Sequence, residues 1–193
     1  SLFFVLRPEM KLLDAVNLIL PKLGEHRVTR LDVKHPTLAI ILPEVENEIR
    51  RLLSRGWWFN EFDSTLYPSH EGFIFLGTDA LTFTPDCTNT AVQRGTQLYN
   101  PVTLSYVFEQ PVPGRVRQYV AFDDLPESAG QAVYFSALVS CYITDIGMAQ
   151  EVQAWGVAAQ SATSDLLAEH LRQKRFSTKS TRQWAKLRRA LRG

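Results

Sequence analysis

Long apolar runs are missing from this 193-residue chain. None approaches the roughly 18 residues that a helix needs to cross a bilayer, so no membrane anchor is expected. The run Leu2–Leu6 is too short for the core of an export signal, and no basic residue precedes it. Cysteine is scarce. Cys87 and Cys141 are too few for a disulfide scaffold, and without an export signal both are expected to be reduced, as small buried apolar residues. Enzyme signatures are lacking too: there is no G-x-S-x-G, no phosphate-binding Walker loop, no H-E-x-x-H and no C-x-x-C. His26, His35, His70 and His170 lie far apart, and none is spaced with a cysteine or carboxylate like a zinc ligand. No cofactor, metal or catalytic residue is therefore assigned.

What is present is enough for a real core. Apolar residues make up 45% of the chain and charged residues 21%, which excludes intrinsic disorder as the general state. A domain of this size buries about 70% of its unfolded surface. The formal net charge of +1 hides an asymmetry. Residues 170–193 hold nine of the 21 basic residues and no acid, which leaves twelve basic residues against all 20 acidic ones in 1–169, a net of −8. An acidic body with a basic tail points to a partner engaged by the tail.

Periodicity divides the chain. Leu12, Leu13, Val16, Ile19, Leu20 and Leu23 recur at helical spacing over 10–23, with Pro21 expected to end the regular helix early and Gly24 to stop it. Leu38, Ile41, Leu42, Val45, Ile49, Leu52 and Leu53 mark a second helix over 37–55, with a bend expected at Pro43, charges such as Glu46 and Glu48 on its far side, and Gly56 as its end. From Trp57 to Phe122 the helical stripes vanish. Short β-branched and aromatic runs predict strands near 57–67, 73–76, 80–84, 91–94, 96–99, 102–108 and 115–122, with breaks at Pro68-Ser69-His70, Gly77-Thr78-Asp79, Pro85-Asp86, Asn100-Pro101 and Pro111-Val112-Pro113-Gly114. A third helix over 126–143 turns Ala129, Val133, Tyr134, Ala137, Leu138 and Cys141 inward, with Asp123 or Asp124 as its cap. After Gly147, a fourth helix over 148–175 carries the stripe Val152, Trp155, Ala159, Ala162 and Leu166, extending to Leu167 and His170. The fold class is α+β. A four-helix bundle, residues 1–56 and 123–175, holds an inserted antiparallel β subdomain, 57–122, and a basic C-terminal arm, 176–193.

Acid pairs are the one catalytic pattern that composition leaves open, since two carboxylates suffice for glycoside hydrolysis. The candidates are Glu61 with Asp63, Asp123 with Asp124, and Glu127. Any acidic surface yields such pairs, so a solvated face is the favoured reading of them. Gly95 and Gly114 read as turn residues, with no helix behind them to cradle a phosphate. Trp57, Trp58 and Phe59 sit at the helix-to-strand junction, where core packing is the expected role. Strand alternation would turn one of the two indoles outward.

Ala15-Val16-Asn17-Leu18-Ile19-Leu20 precedes Leu23-Gly24-Glu25, and Ile49-Arg50 precedes Ser54-Arg55-Gly56-Trp57-Trp58-Phe59-Asn60. With Asp124-Leu125-Pro126-Glu127 opening a helix that carries Tyr134, this ordered set, over roughly 10–170, resembles the tail tubular protein A family, the head-to-tail adaptors of short-tailed bacteriophages. Residues 70–115 match only in β character, and 176–193 follow no alignable pattern. The resemblance implies a structural virion protein that forms a twelve-subunit ring. The ring lies between the portal protein and the tail nozzle (tail tubular protein B), with tail fibres nearby and genomic DNA passing through its lumen without specific binding. It implies a mostly helical fold with a β-rich portion, a place in the virion tail, and assembly in the host cytoplasm.

The arm completes the reading from residues. Trp184, Leu187 and Leu191 recur among Lys and Arg, a composition enriched at interface hot spots. Arg175, Phe176, Lys179, Arg182, Trp184, Lys186, Leu187, Arg188, Arg189 and Leu191 are the candidate portal-binding residues, on an arm expected to order only against its partner. Two other functions remain open: a virion-associated peptidoglycan hydrolase using Glu61 and Asp63, and a DNA-binding module using the basic arm.

Overall fold

A computed structural model describes residues 9–87 and 90–180, with side chains as far as Lys174. The fold is a four-helix bundle with an inserted antiparallel β subdomain. The helices are α1 (Leu12–Ile19), α2 (Leu38–Leu53), α3 (Glu127–Asp145) and α4 (Gln150–Ser180). The strands are β1 (Glu61–Leu66), β2 (Ala80–Pro85), β3 (Val92–Arg94), β4 (Gln97–Tyr99) and β5 (Val112–Gln118). Contacts divide the chain into a helical unit, up to Ile49 and from Ala121 onward, and a β unit, Arg50–Val120, so the division falls inside α2.

In the helical unit, α1 ends at Ile19 and the chain tightens into a 3-10 turn over Leu20–Leu23, with Pro21 in its first positions. Gly24 follows at φ +79°, the left-handed stop that glycine adopts without a Cβ penalty. Asn17 clamps the loop beyond. Its Nδ2 donates to the Val28 carbonyl and its Oδ1 accepts the Val28 N–H, both at 2.8 Å. Along α2, Leu38, Ile41, Val45 and Ile49 are buried as the periodicity predicts, and Pro43 lies inside the helix. Glu48 departs from the expectation of an outward charge. It is buried, and the Ser140 hydroxyl donates to it at 3.4 Å. The predicted inner face of α3 is buried at all six positions. On α4, Val152, Ala162, Leu166 and His170 are buried while Leu167 is exposed.

The expected cap of α3 is corrected. Pro126 is the N-cap residue and no side chain bonds there. Asp123 instead serves the other helix start: its Oδ1 accepts the Leu12 N–H at 2.7 Å and its carbonyl accepts from Lys11 Nζ at 2.8 Å. Glu127 takes the Met10 N–H at 2.9 Å. The orphan Leu12 amide and the Met10 amide just before the helix are thus taken by carboxylates more than 100 residues away, whose negative charge also suits the positive end of the helix dipole, while Asp14 takes the Lys11 N–H at 3.3 Å.

In the β unit, the main sheet has the order β1-β5-β2, both pairs antiparallel, and β3 and β4 form a hairpin. Gly95, at φ +59°, takes the first central position of that hairpin's two-residue loop. The core gathers Ile74, Leu76, Phe83, Ala91, Leu98, Phe108 and Val112. Four strand expectations change. Residues 73–76 contribute only isolated bridges, from Phe73 to Val107 and from Phe75 to Gln97. Residues 57–60 form a turn, in which Asn60 N–H and Glu61 N–H both donate to the Trp57 carbonyl, so side-chain alternation starts only at Glu61. Residues 102–108 contribute only isolated bridges, from Ser105 to Asn100 and from Val107 to Phe73. The break expected at 111–114 is instead the first half of β5, the central strand.

The reason for the last correction is close approach. A Cβ on Gly114 would collide with the Thr84 carbonyl oxygen, lie 2.6 Å from Phe83 Cζ and 2.9 Å from Pro85 Cα. Only glycine lets β2 lie this near. Pro113 is tolerated because its carbonyl points toward β2 and accepts the Asp86 N–H at 3.0 Å, while its missing N–H falls outside the β1 ladder.

Candidate functional site

The basic segment singled out by composition lies mostly beyond the described residues. Arg175, Phe176 and Lys179 are on the α4 backbone, but their side chains fall outside the described residues, as do Arg182, Trp184, Lys186, Leu187, Arg188, Arg189 and Leu191 entirely. α4 continues to Ser180, past the end expected near 175. Ser and Thr at 177, 178 and 180 each cost only about 0.5 kcal/mol relative to Ala, too little to stop a helix already propagating.

The acid pairs are built into the framework. Across the β1–β5 ladder, Glu61 stands opposite Arg117 and Asp63 opposite Arg115. Arg117 Nε reaches Glu61 Oε2 at 2.8 Å, and Arg115 Nε reaches Asp63 Oδ1 at 3.3 Å. Arg117 also donates to the Ser54 carbonyl at 2.8 Å. Gly56, at φ +77°, gives this ion pair its room: a Cβ there would strike Glu61 Oε2 and lie 2.6 Å from Arg117 Nε. Asp123 and Glu127 hold the start of α1, as described above. A groove of about 510 Å³ in the β unit runs between Asn100, Ser105, Phe108 and Pro111, and Glu109 is the one charged residue among those lining it.

Beneath the sheet lies a polar knot that sequence reasoning missed. Asn60 is fully buried. Its Oδ1 accepts the Trp57 N–H at 2.8 Å, and its Nδ2 donates to the Leu53 and Gln118 carbonyls, each at 3.0 Å. Trp57 is buried too, and its indole N–H donates to the Leu52 carbonyl at 2.7 Å. Trp58 is half-buried and packs edge-on to Phe59, with ring centroids 5.0 Å apart. No sequence signal marks Asn60 beyond its place after two tryptophans.

Cysteine chemistry splits between the units. Cys141 is buried on α3. Burial, reinforced by Glu44, Asp145 and Glu48, pushes its thiol up to about 12. Cys87 is exposed, which corrects the expectation that both would be buried. Among the described residues, no three His, Cys, Asp or Glu side chains gather as a metal site, and no helix is long and apolar enough to cross a membrane.

Two exposed surfaces have the chemistry of contacts. A stripe along the outer face of α4 carries Gln153, Val157, Gln160, Ser164, Leu167 and Leu171, all exposed and none charged, with the exposed Asp165 and Arg172 beside it. In the β unit, the loop after β4 is pinned by Asn100, whose Oδ1 accepts the Val102 and Thr103 N–H groups. Leu104 in that loop sits at φ +53° and, with Val102, is more than 70% exposed. Beside it, the Arg94 guanidinium lies 3.6 Å over the Tyr99 ring, which packs edge-on against Tyr106.

The profile of the family described as Tail tubular protein matches residues 13–176. The protein named Tail tubular protein A from Klebsiella phage KP34 is 32% identical over 182 residues, covering 94% of this chain and 98% of that relative. The chain belongs to the tail tubular protein A family.

Proposed function

We propose that the protein is a structural adaptor of the virion tail. Twelve copies form a ring between the portal protein and the tail nozzle, tail tubular protein B, and genomic DNA passes through the ring. Family membership over residues 13–176 carries this reading. Two features of the chain support it. A stripe along the outer face of α4 is uncharged and partly apolar, as a surface covered by neighbouring copies would be. Residues 1–169 carry a net charge of −8, which suits a channel wall that must not grip phosphate. A lumen offering six to ten basic contacts would bind DNA with an affinity that changes about 10³- to 10⁵-fold over modest changes in salt. The lumen is accordingly neutral to acidic, and the basic segment points elsewhere.

The basic arm docks on the portal. Each contact can be weak, because twelve copies in one ring act multivalently. Electron micrographs of the protein mixed with its cognate portal test this directly: an added twelve-fold ring is expected, and portals without one would overturn the reading. Deleting 177–193 is expected to preserve the fold and abolish portal association, and undiminished association would remove the arm from the account.

A second reading keeps one specific observation in its favour. Nine basic residues and no acid over 170–193 suit duplex binding. Salt-dependent DNA binding by the full chain, lost on the same deletion, is the outcome that would select it. Glycan hydrolysis has no comparable support, because Glu61 and Asp63 each face an arginine.

A further inference from the structure

The two edges of the main sheet are treated differently. On the β2 edge, Phe83 N–H donates to Gln93 Oε1 at 2.7 Å, and Gln93 Nε2 reaches the Leu81 carbonyl at 3.5 Å. One side chain thus stands in for a missing strand. β2 also carries a bulge between Ala80 and Thr82 and ends in Pro85, both of which blunt an edge. Among the described residues, the β1 edge has none of these devices.

Which groups of β1 face outward follows from its pairing. Gln118 N–H donates to the Asn60 carbonyl, and the Pro113 carbonyl turns to the far side, toward Asp86. Residues 62, 64 and 66 therefore bond to β5, and the backbone groups of 61, 63 and 65 point away from it. The Glu61 N–H is taken by the Trp57 carbonyl at 2.9 Å. No described residue bonds the outward N–H or C=O of Asp63 or Thr65. Phe62 lies on the same face as Leu66, which packs against the β core, yet Phe62 is 46% exposed. The opposite face presents Asp63, whose carboxylate is 90% exposed.

We propose that this open edge accepts residues 2–7 of a neighbouring copy as an added strand. The inference rests on the ring reading above. Residues 1–8 lie outside the described residues. Leu2-Phe3-Phe4-Val5-Leu6 is the most strand-forming apolar run available to fill such an edge, and Arg7 follows it. In a strand, Leu2, Phe4 and Leu6 share one face, and Phe3, Val5 and Arg7 share the other. Placing Arg7 on the side of the exposed Asp63 carboxylate sets Leu2, Phe4 and Leu6 beside Phe62 and Leu66. A slip of one residue would lose both matches, so the register is specified. Pro8 ends the pairing, having no N–H to give.

A second β1 strand fits less well. It would bring Asp63 and Glu61 against their own copies, and a two-fold contact closes a dimer rather than a ring. A donor and an acceptor in different parts of the chain make the head-to-tail contact that a ring requires.

Hydrogen exchange on the full chain tests the proposal, read for the isolated protein and for rings assembled on the cognate portal. The amides of Asp63 and Thr65 are expected to slow by about tenfold or more on ring formation. Those of Phe62, Ser64 and Leu66 are expected to be slow in both states. Unchanged exchange at 63 and 65 in formed rings overturns strand donation and leaves the ring reading standing, whereas absence of any ring removes both. A Cys87→Ser background carrying Thr65→Cys with Phe3→Cys or Val5→Cys identifies the donor. A ladder of covalent oligomers from oxidised rings supports a neighbour. A bond within one chain, or no bond in either pair, overturns the proposal.

Discussion

In the helical unit, α3 buries Ala129, Ala132, Val133, Ala137, Leu138 and Cys141 on one side, and the buried polar residues Thr37, Glu48 and His170 lie on other segments. The strand core of the β unit gathers seven buried residues among those described, and much of the unit's definition comes from Asn60, Gly56 and Gly114. The first unit tolerates change in proportion to the apolar area lost. The second depends on a few positions where backbones touch or where one side chain satisfies three backbone groups. Stability in the second is therefore concentrated, and it fails at points that a hydrophobicity profile does not reveal.

The largest test of that contrast is Gly114→Val. The added branch meets the backbone of Thr84 and Pro85, so the β1-β5-β2 sheet cannot close, and a loss above about 4 kcal/mol is expected. Urea unfolding followed by fluorescence and far-ultraviolet dichroism would show it; a variant as stable as the parent would erase the comparison. Next comes a matched pair, Leu138→Ala and Asn60→Ala. The first removes apolar contacts and leaves a cavity, at about 2–5 kcal/mol. The second strands the Trp57 N–H and two carbonyls, at about 1–3 kcal/mol for the first orphan group alone. Comparable losses would show that one buried amide matters to the β unit as much as a core leucine does to the helical one.

Cys141 gives a smaller, pH-dependent effect. Its thiol is raised from 9.0 to about 12 in the folded chain, so between these values the folded state holds a proton that the unfolded state has released. Stability contributed by this group is unchanged below pH 9 and falls above it, by at most about 1.4 kcal/mol per pH unit. Denaturation of Cys141→Ala against the parent from pH 8 to 11 measures it, and parallel curves would remove the effect. The smallest change is expected from Arg115→Ala. Its guanidinium is largely exposed beside an exposed Asp63, so the loss is below about 1 kcal/mol and shrinks with salt. A larger loss would mean that the outer ion pairs, too, hold the sheet.

The same contrast decides what the sequence could reveal. The faces of α1, α2 and α3 were legible because a helix is a local object, and its period shows in consecutive residues. Pro21 and Gly24 marked the end of α1 for the same reason. Pro113-Gly114 looked like a turn because those residues usually make one. What places them mid-strand is the nearness of Thr84 and Pro85, thirty residues away. Trp57 and Trp58 looked like strand residues, yet the bond from Asn60 to Gln118 fixes a turn there. Composition exposed the basic run at 170–193, but the open β1 edge could not be seen from sequence. An edge is defined by which strands fail to pair, and the order β1-β5-β2 is set by contacts across the whole unit.

Asp123 and Glu127, holding the amides of Leu12 and Met10, also impose an order of events during synthesis. The β unit is one continuous stretch, complete as soon as Val120 has left the ribosome. The helical unit must wait, since the carboxylates that fasten the first helix emerge after every strand has been made. Nascent chains would therefore close the sheet first, and the early helix, too short to persist alone, would be secured only when its distant counterions arrive.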